Sequence, residues 1–320
     1  MSFLLEAGER PGSGLERTIR EQIKKLKAEC GGAPETPAVF AHKARVRTKK
    51  IRAALRLARP LMPGKAYRAD NRWWRDAARS LSGLRDAGAR LEALEALRPF
   101  LTRKVGEAGV LRLSERFERQ RQTVDAAKAI DAFQALMAEG HSAPKIASGK
   151  RHDAVAALEE TYRAARRAMK VALEERDPET LHEWRKQTKY HALQARLMRS
   201  MFPELLPRVG AVRDLSDKLG EVQDIEIVLA GIKGWRTGPK GLADALKQRR
   251  DMLVAEAESE GLVLFSEKPK AWAKALASPP ASLAEESGSE AEPTFPGLLE
   301  ESPEQAPALD RIAAEADVQA

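Results

Sequence analysis

Cysteine is almost missing from this 320-residue chain, which has only Cys30. That excludes an intrachain disulfide framework and any zinc site built from several cysteines. Aromatic residues make up 5% of the sequence, and valine and isoleucine are sparse. No run approaches the roughly 20 apolar residues needed to span a bilayer. The first residues, "MSFLLEAGERPGSG", lack both a cationic opening and a long apolar core, so they do not read as a signal peptide. The expectation from these absences is a soluble, cytoplasmic protein with no membrane partner.

What is present is charge, on 32% of residues, beside enough hydrophobic residues (43%) for a sizeable core. Ala, Leu, Arg, Glu and Lys dominate, and apolar residues recur at helical spacing, which predicts an all-α fold. The net charge of +8 hides an asymmetry. Residues 281–320 hold ten acidic side chains and one basic one, Arg311, leaving 54 Lys+Arg against 37 Asp+Glu in the other 280 residues. A body that basic attracts polyanions. Residues 279–320, rich in Glu, Pro and Ser, have too little apolar content to fold alone and are expected to form a disordered tail. The tail reads either as a solubiliser or as an acidic flap competing for the basic surface.

The sequence also repeats itself. "HKARVRTKKIRAALRLARPLMP" (42–63) matches "HEWRKQTKYHALQARLMRSMFP" (182–203) at an offset of 140. His42/His182, Arg45/Arg185, Thr48/Thr188, Lys49/Lys189, Arg56/Arg196 and Pro63/Pro203 fall in register. "RDAARSLSGLRDAGARL" (75–91) then matches "RDLSDKLGEVQDIEIVL" (213–229) at an offset of 138, pairing Arg75/Arg213 and Asp76/Asp214. A weaker extension relates Arg17, Arg20 and Lys24 to Arg163, Arg166 and Lys170 at an offset of 146. The repeat predicts two halves, about 13–139 and 150–278. Helices are expected near 13–30, 37–59, 66–86 and 106–139, then near 150–176, 179–200, 204–232 and 239–260. Segment 87–105 and "PKAWAKAL" are left less defined. Four helices per half suggest two four-helix bundles related by a pseudo-two-fold.

At 100° per residue, His42, Arg45, Lys49, Arg52 and Arg56 fall within an arc of about 80°. His182, Arg185, Lys189 and Arg196 occupy the same angles, with Lys186 nearby. The opposite sides carry Ala44, Thr48, Ile51, Leu55 and Ala58 in one copy and Trp184, Thr188, His191, Ala195 and Met198 in the other, which predicts core-facing stripes. Leu57 and Leu197, near 60°, imply a packed edge beside each cationic stripe. Solvated helix faces normally intersperse acids to relieve repulsion, and these arcs hold none. A duplicated, uncompensated cationic stripe points to a polyanion site, for which arginine's forked donors suit phosphate. His42 and His182 are read as opening their helices, where exposed N–H groups favour an anion. No metal site is expected beside either one, and His141, His152 and His191 read as loop or packing residues.

At these residues the sequence resembles the CHAD family, the conserved histidine α-helical domain. The family pattern of a histidine, Arg at +3 and Lys at +7, followed by L-G-x-x-R-D, stands here as "HKARVRTKK" with "LSGLRD" and as "HEWRKQTKY" with "LGEVQD". The resemblance covers roughly 10–278. It implies two pseudo-symmetric four-helix bundles around a basic central channel that binds inorganic polyphosphate and associates with polyphosphate granules. Carried over by motif, His42, Arg45, Lys49 and Arg56 would line one half, and His182, Arg185, Lys189 and Arg196 the other, with Arg75 and Arg213 as additions. Ser82 and Gln223 depart from the pattern, and Arg52 aligns with Ala192, so the halves are unequally basic.

The expected function is therefore non-enzymatic polyphosphate binding without a cofactor, with other granule proteins as possible partners. No P-loop, nucleophile–base pair or ExExK signature of the CYTH triphosphatases often fused to such domains is found. Nucleic acid is the rival ligand, although Trp73 and Trp74 read as core and do not interleave with the basic residues as single-strand stacking requires. A scaffold recruiting enzymes of polyphosphate metabolism is the other alternative.

Overall fold

A computed structural model describes residues 3–32, 36–120, 125–235 and 238–278; the tail expected at 279–320 lies outside them. Among the described residues the fold is all-α, with no strand. In chain order the helices are α1 (Pro11–Gly31), α2 (Pro37–Ala58), α3 (Gly64–Ser80), α4 (Ser82–Ala96), α5 (Arg98–Arg119), α6 (Ala126–Glu139), α7 (Arg151–Glu175), α8 (Pro178–Met198), α9 (Leu206–Ile232), α10 (Leu242–Leu264) and α11 (Pro269–Ala277). Proline begins α1, α2, α8 and α11, where its fixed φ suits the first turn and its missing N–H costs nothing. Thr36 caps α2 by accepting from the Val39 N–H at 3.3 Å. Asp177 caps α8 through the N–H groups of Glu179 and Thr180, at 2.8 and 3.0 Å. Those backbone bonds, the Thr180 one foremost, hold its carboxyl below the usual range.

The predicted core stripes of α2 and α8 are fully inside. Ala44, Thr48, Ile51, Leu55 and Ala58, and Trp184, Thr188, His191, Ala195 and Met198, are each at most 1% exposed. Burying a large apolar side chain of this kind stabilises by about 1.5–3 kcal/mol, so these two faces anchor the cationic sides opposite them.

Two predicted helices divide. The one expected at 66–86 is α3 and α4, separated at Leu81, whose φ of −95° and ψ of 5° leave the helical region. The Ser80 hydroxyl donates to the Ala77 carbonyl at 2.8 Å, taking over an acceptor that the helix amides would use. The corresponding stretch of the second half runs unbroken inside α9. The helix expected at 106–139 comprises the later part of α5 and all of α6. Within α5 the chain kinks at Gly106, where φ 70° and ψ 166° fall in a region that in practice only glycine occupies. "PKAWAKAL" forms most of α11, and its Trp272 stacks on Tyr162 of α7, 4.6 Å between centroids at 7°. Among the described residues the first half thus has six α-helices where four were expected. Among the described residues no helix is long and apolar enough to cross a membrane.

Candidate polyanion site

Four helices close on one another in a circuit: α2 packs on α8, α8 on α9, α9 on α4, and α4 on α2. The α2–α8 seam is fixed by the Gln194 side-chain amide, which donates to the Ala53 carbonyl at 3.1 Å. At its edge the Arg56 guanidinium lies over the Tyr190 ring, 3.7 Å from the centroid. Tyr190 occupies the packed edge that Leu197 marks in the helical angles. It is not among the predicted site residues, and that edge is the signal available for finding it.

The cationic side of α8 meets α9. His182 Nδ1–H donates to Gln223 Oε1 at 2.8 Å, so the glutamine that departs from the family arginine orients this ring. One turn on, Arg185 Nε lies 3.5 Å from the point a β-carbon on Gly220 would reach. The guanidinium therefore rests against bare backbone. Lys189 then pairs with Asp217 at 3.7 Å. Lys186 instead bonds Glu183 of its own helix. Burial works to raise the Glu183 carboxyl, but bonds from Lys186 and Gln187 prevail and hold it below its ordinary value. The acids that relieve the α8 stripe therefore come from off its arc and from the next helix, which the angular count on α8 alone does not reveal.

The α2 stripe is differently placed. His42 and Lys49 are exposed, while Arg45, Arg52 and Arg56 are half-buried. Arg52 Nε donates to Asn71 Oδ1 of α3 at 3.2 Å. Burial pushes the Arg52 guanidinium below its usual range, and the neighbouring Arg56 and Arg75 push it further, while Tyr190 and Tyr67 act in the opposite sense. The groups that act on it most strongly are thus tyrosines and guanidiniums. Arginine still stays charged, so Arg52 is a half-buried cation set among other guanidiniums from α2 and α3. A phosphate oxygen is the type of group that would relieve it. Arg75 and Arg213 each turn toward the aspartate that follows them: Arg75 Nε bonds Asp76 Oδ1 at 2.8 Å, and Arg213 Nε bonds Asp214 Oδ1 at 3.0 Å.

Two expectations change. The histidines do not open their helices: α2 begins at Pro37 and α8 at Pro178, so His42 and His182 lie in the second turn. The first-turn N–H groups of Val39, Glu179 and Thr180 are below them and already capped, and His182 acts as a side-chain donor rather than through the helix end. The upstream residues have other engagements. Arg17 is held by Glu9 at 2.7 Å and Glu21 at 2.9 Å, which raises its pKa, the Glu9 hydrogen bond being the leading cause. Arg20 pairs with Glu16 at 2.6 Å, Arg163 bonds Glu159, and Arg166 donates to the Phe265 carbonyl at 2.8 Å. Lys24 and Lys170 are exposed. All six sit on α1 and α7, outside the four-helix circuit. Their spacing copies the stripe pattern, but four of these charges are engaged, by carboxylates one turn away on the same helix (Glu16, Glu21, Glu159) and by Glu9 and the Phe265 carbonyl from outside it.

Of the remaining histidines, His141 and His191 are in the loop and packing positions expected, whereas His152 stands exposed in the first turn of α7. His141 stacks on Trp73 with 4.2 Å between centroids and bonds Asp70 Oδ1 at 2.9 Å. His191 is fully buried, and exposed His152 lies 3.4 Å from Asp153. Trp74 is fully buried and meets Trp73 edge-on.

A profile of the CHAD domain matches residues 17–231. The crystal structure of the CHAD domain from the plant Ricinus communis is similar to 87% of this chain and 96% of that one, with 15% identity and a TM-score of 0.48. No curated protein matches the chain.

Proposed function

This chain belongs to the CHAD domain family, and from that premise we propose that it binds inorganic polyphosphate without catalysis. The observation that carries the reading is the gathering of Arg52, Arg56 and Arg75 beside the α2–α8 seam, where burial and the neighbouring guanidiniums together act against the charge on Arg52. The ligand would lie along the α2 stripe (His42, Arg45, Lys49, Arg52 and Arg56) and the α8 stripe (His182, Arg185, Lys189 and Arg196). Phosphates would add counter-charge to this arginine cluster. On α8 they would compete with Glu183 and Asp217 for Lys186 and Lys189. Binding of this kind is driven largely by counterion release and weakens steeply with salt. Its cellular correlate would be association with polyphosphate granules, through the ligand or through other granule proteins.

Single-strand nucleic acid fits less well. Stacking sites need open aromatic faces, whereas Tyr190 is covered by Arg56 and Trp73 by His141. The double variant Arg45→Glu with Arg185→Glu tests the proposal. Its affinity for long-chain polyphosphate, measured at moderate salt, is expected to fall roughly 10- to 100-fold as phosphate contacts become repulsions. Circular dichroism should show the helices retained. Unchanged affinity in a folded variant would reject the site.

A further inference from the structure

A third cationic line runs along α3, separate from the two repeated stripes. Lys65, Arg68, Arg72, Arg75 and Arg79 recur at intervals of three, four, three and four, and all five are exposed. On a helix they fall within an arc of about 80°. The buried residues Trp74 and Ala77 lie on the other side. With a rise of ~1.5 Å per residue, the line is about 21 Å long. The carboxylate beside it is Asp76, which bonds Arg75 at 2.8 Å and lies 3.8 Å from Arg79. A helix face exposed only to water gains nothing from five like charges in a row, since such pairs repel at these spacings.

The line is continuous with the α2 site. Asn71, one turn from Arg68 and from Arg75, accepts the Arg52 Nε–H at 3.2 Å, and Tyr67 lies under Arg59 at 5.9 Å. The second half offers no counterpart. At the offset of 138 the five positions read Pro203, Leu206, Gly210, Arg213 and Asp217, so only Arg213 keeps its charge.

We propose that the exposed face of α3, formed by Lys65, Arg68, Arg72 and Arg79 around Arg75, is an exit track for polyphosphate. A chain too long for the α2 and α8 stripes continues over this face, and it leaves on the first-half side only. This rests on the reading that the α2 and α8 stripes bind polyphosphate, and it adds a length preference to that site. Short oligophosphates would see only the central cations, whereas long chains would also release counterions along α3.

The experiment compares the full chain with its Lys65→Gln, Arg68→Gln, Arg72→Gln, Arg79→Gln variant, which keeps Arg75. The ligands are tripolyphosphate and long-chain polyphosphate, each titrated across a salt series. Tripolyphosphate affinity is expected to stay within about twofold, because it is held by the α2 and α8 stripes. Long-chain affinity should fall about tenfold, and the slope of log K against log salt should shrink by about 2–3, at ~0.7 for each phosphate of a single strand that is no longer neutralised. If both proteins bind long chains with the same affinity and slope, the track is wrong while the central site stands. If the unmodified chain binds neither ligand, the central reading fails and the track with it. Anionic phosphatidylserine vesicles serve as a further arm. Vesicle binding abolished by the four substitutions, with polyphosphate binding untouched, would assign the face to membranes and overturn the proposal.

Discussion

His191 has no exposed surface, and its Nδ1 lies 3.0 Å from Thr161 Oγ1. Arg208 approaches Nε2 at 3.4 Å. Burial, and after it the Arg208 guanidinium, pushes the imidazole down to about 3 from an ordinary 6.5. The unfolded chain therefore binds a proton below pH 6.5 that the folded chain refuses. The stability this group contributes is complete above about pH 6.5 and is lost as pH falls toward 3, at up to ~1.4 kcal/mol per pH unit. Denaturant unfolding between pH 6.5 and 4 should show that decline, and His191→Gln should flatten it. Equal slopes in the two proteins would contradict the assignment. The position of His191 on a core-facing stripe follows from 100° arithmetic, as does the shared arc of the stripe cations. Its partners do not, because Thr161 and Arg208 arrive from α7 and α9. The same limit explains Arg17: its spacing suggests a site residue, while Glu9 and Glu21 tie it down.

Helix existence was readable from apolar periodicity and from prolines at the starts of α1, α2, α8 and α11. Helix interruption was not, because it depends on local competition. The Ser80 hydroxyl diverts one carbonyl, and Gly106 permits a backbone turn that a periodic pattern passes over. Gly106 makes a clean test. A β-carbon there would meet nothing within 4 Å, so only backbone strain opposes one. Gly106→Ala should cost about 1–3 kcal/mol in chemical denaturation, the usual penalty for a side chain in that region. A loss below about 0.5 kcal/mol would mean that α5 straightens without penalty. Interruption also shapes the charged surface at this scale, since dividing 66–86 into α3 and α4 ends the exposed cationic line of α3 near Arg79 and lets α4 join the circuit.

Across the whole molecule, the sequence shows two basic stripes but not how they meet. Direct packing of α2 on α8, with α9 and α4 closing the circuit, sets the two stripe-bearing helices side by side. The halves are unequal there: α8 is partly neutralised by Glu183 and Asp217, while Arg52 sits among other arginines. With α3 adding further positive charge on one side, the proposed site would give a linear polyanion a preferred direction. The most direct measurement is competition between long-chain polyphosphate and duplex or single-stranded nucleic acid for the full chain, repeated over a salt series. Polyphosphate should displace both nucleic acids at moderate salt, and its own affinity should fall steeply as salt rises. Nucleic acid holding its place at moderate salt would contradict a polyphosphate site.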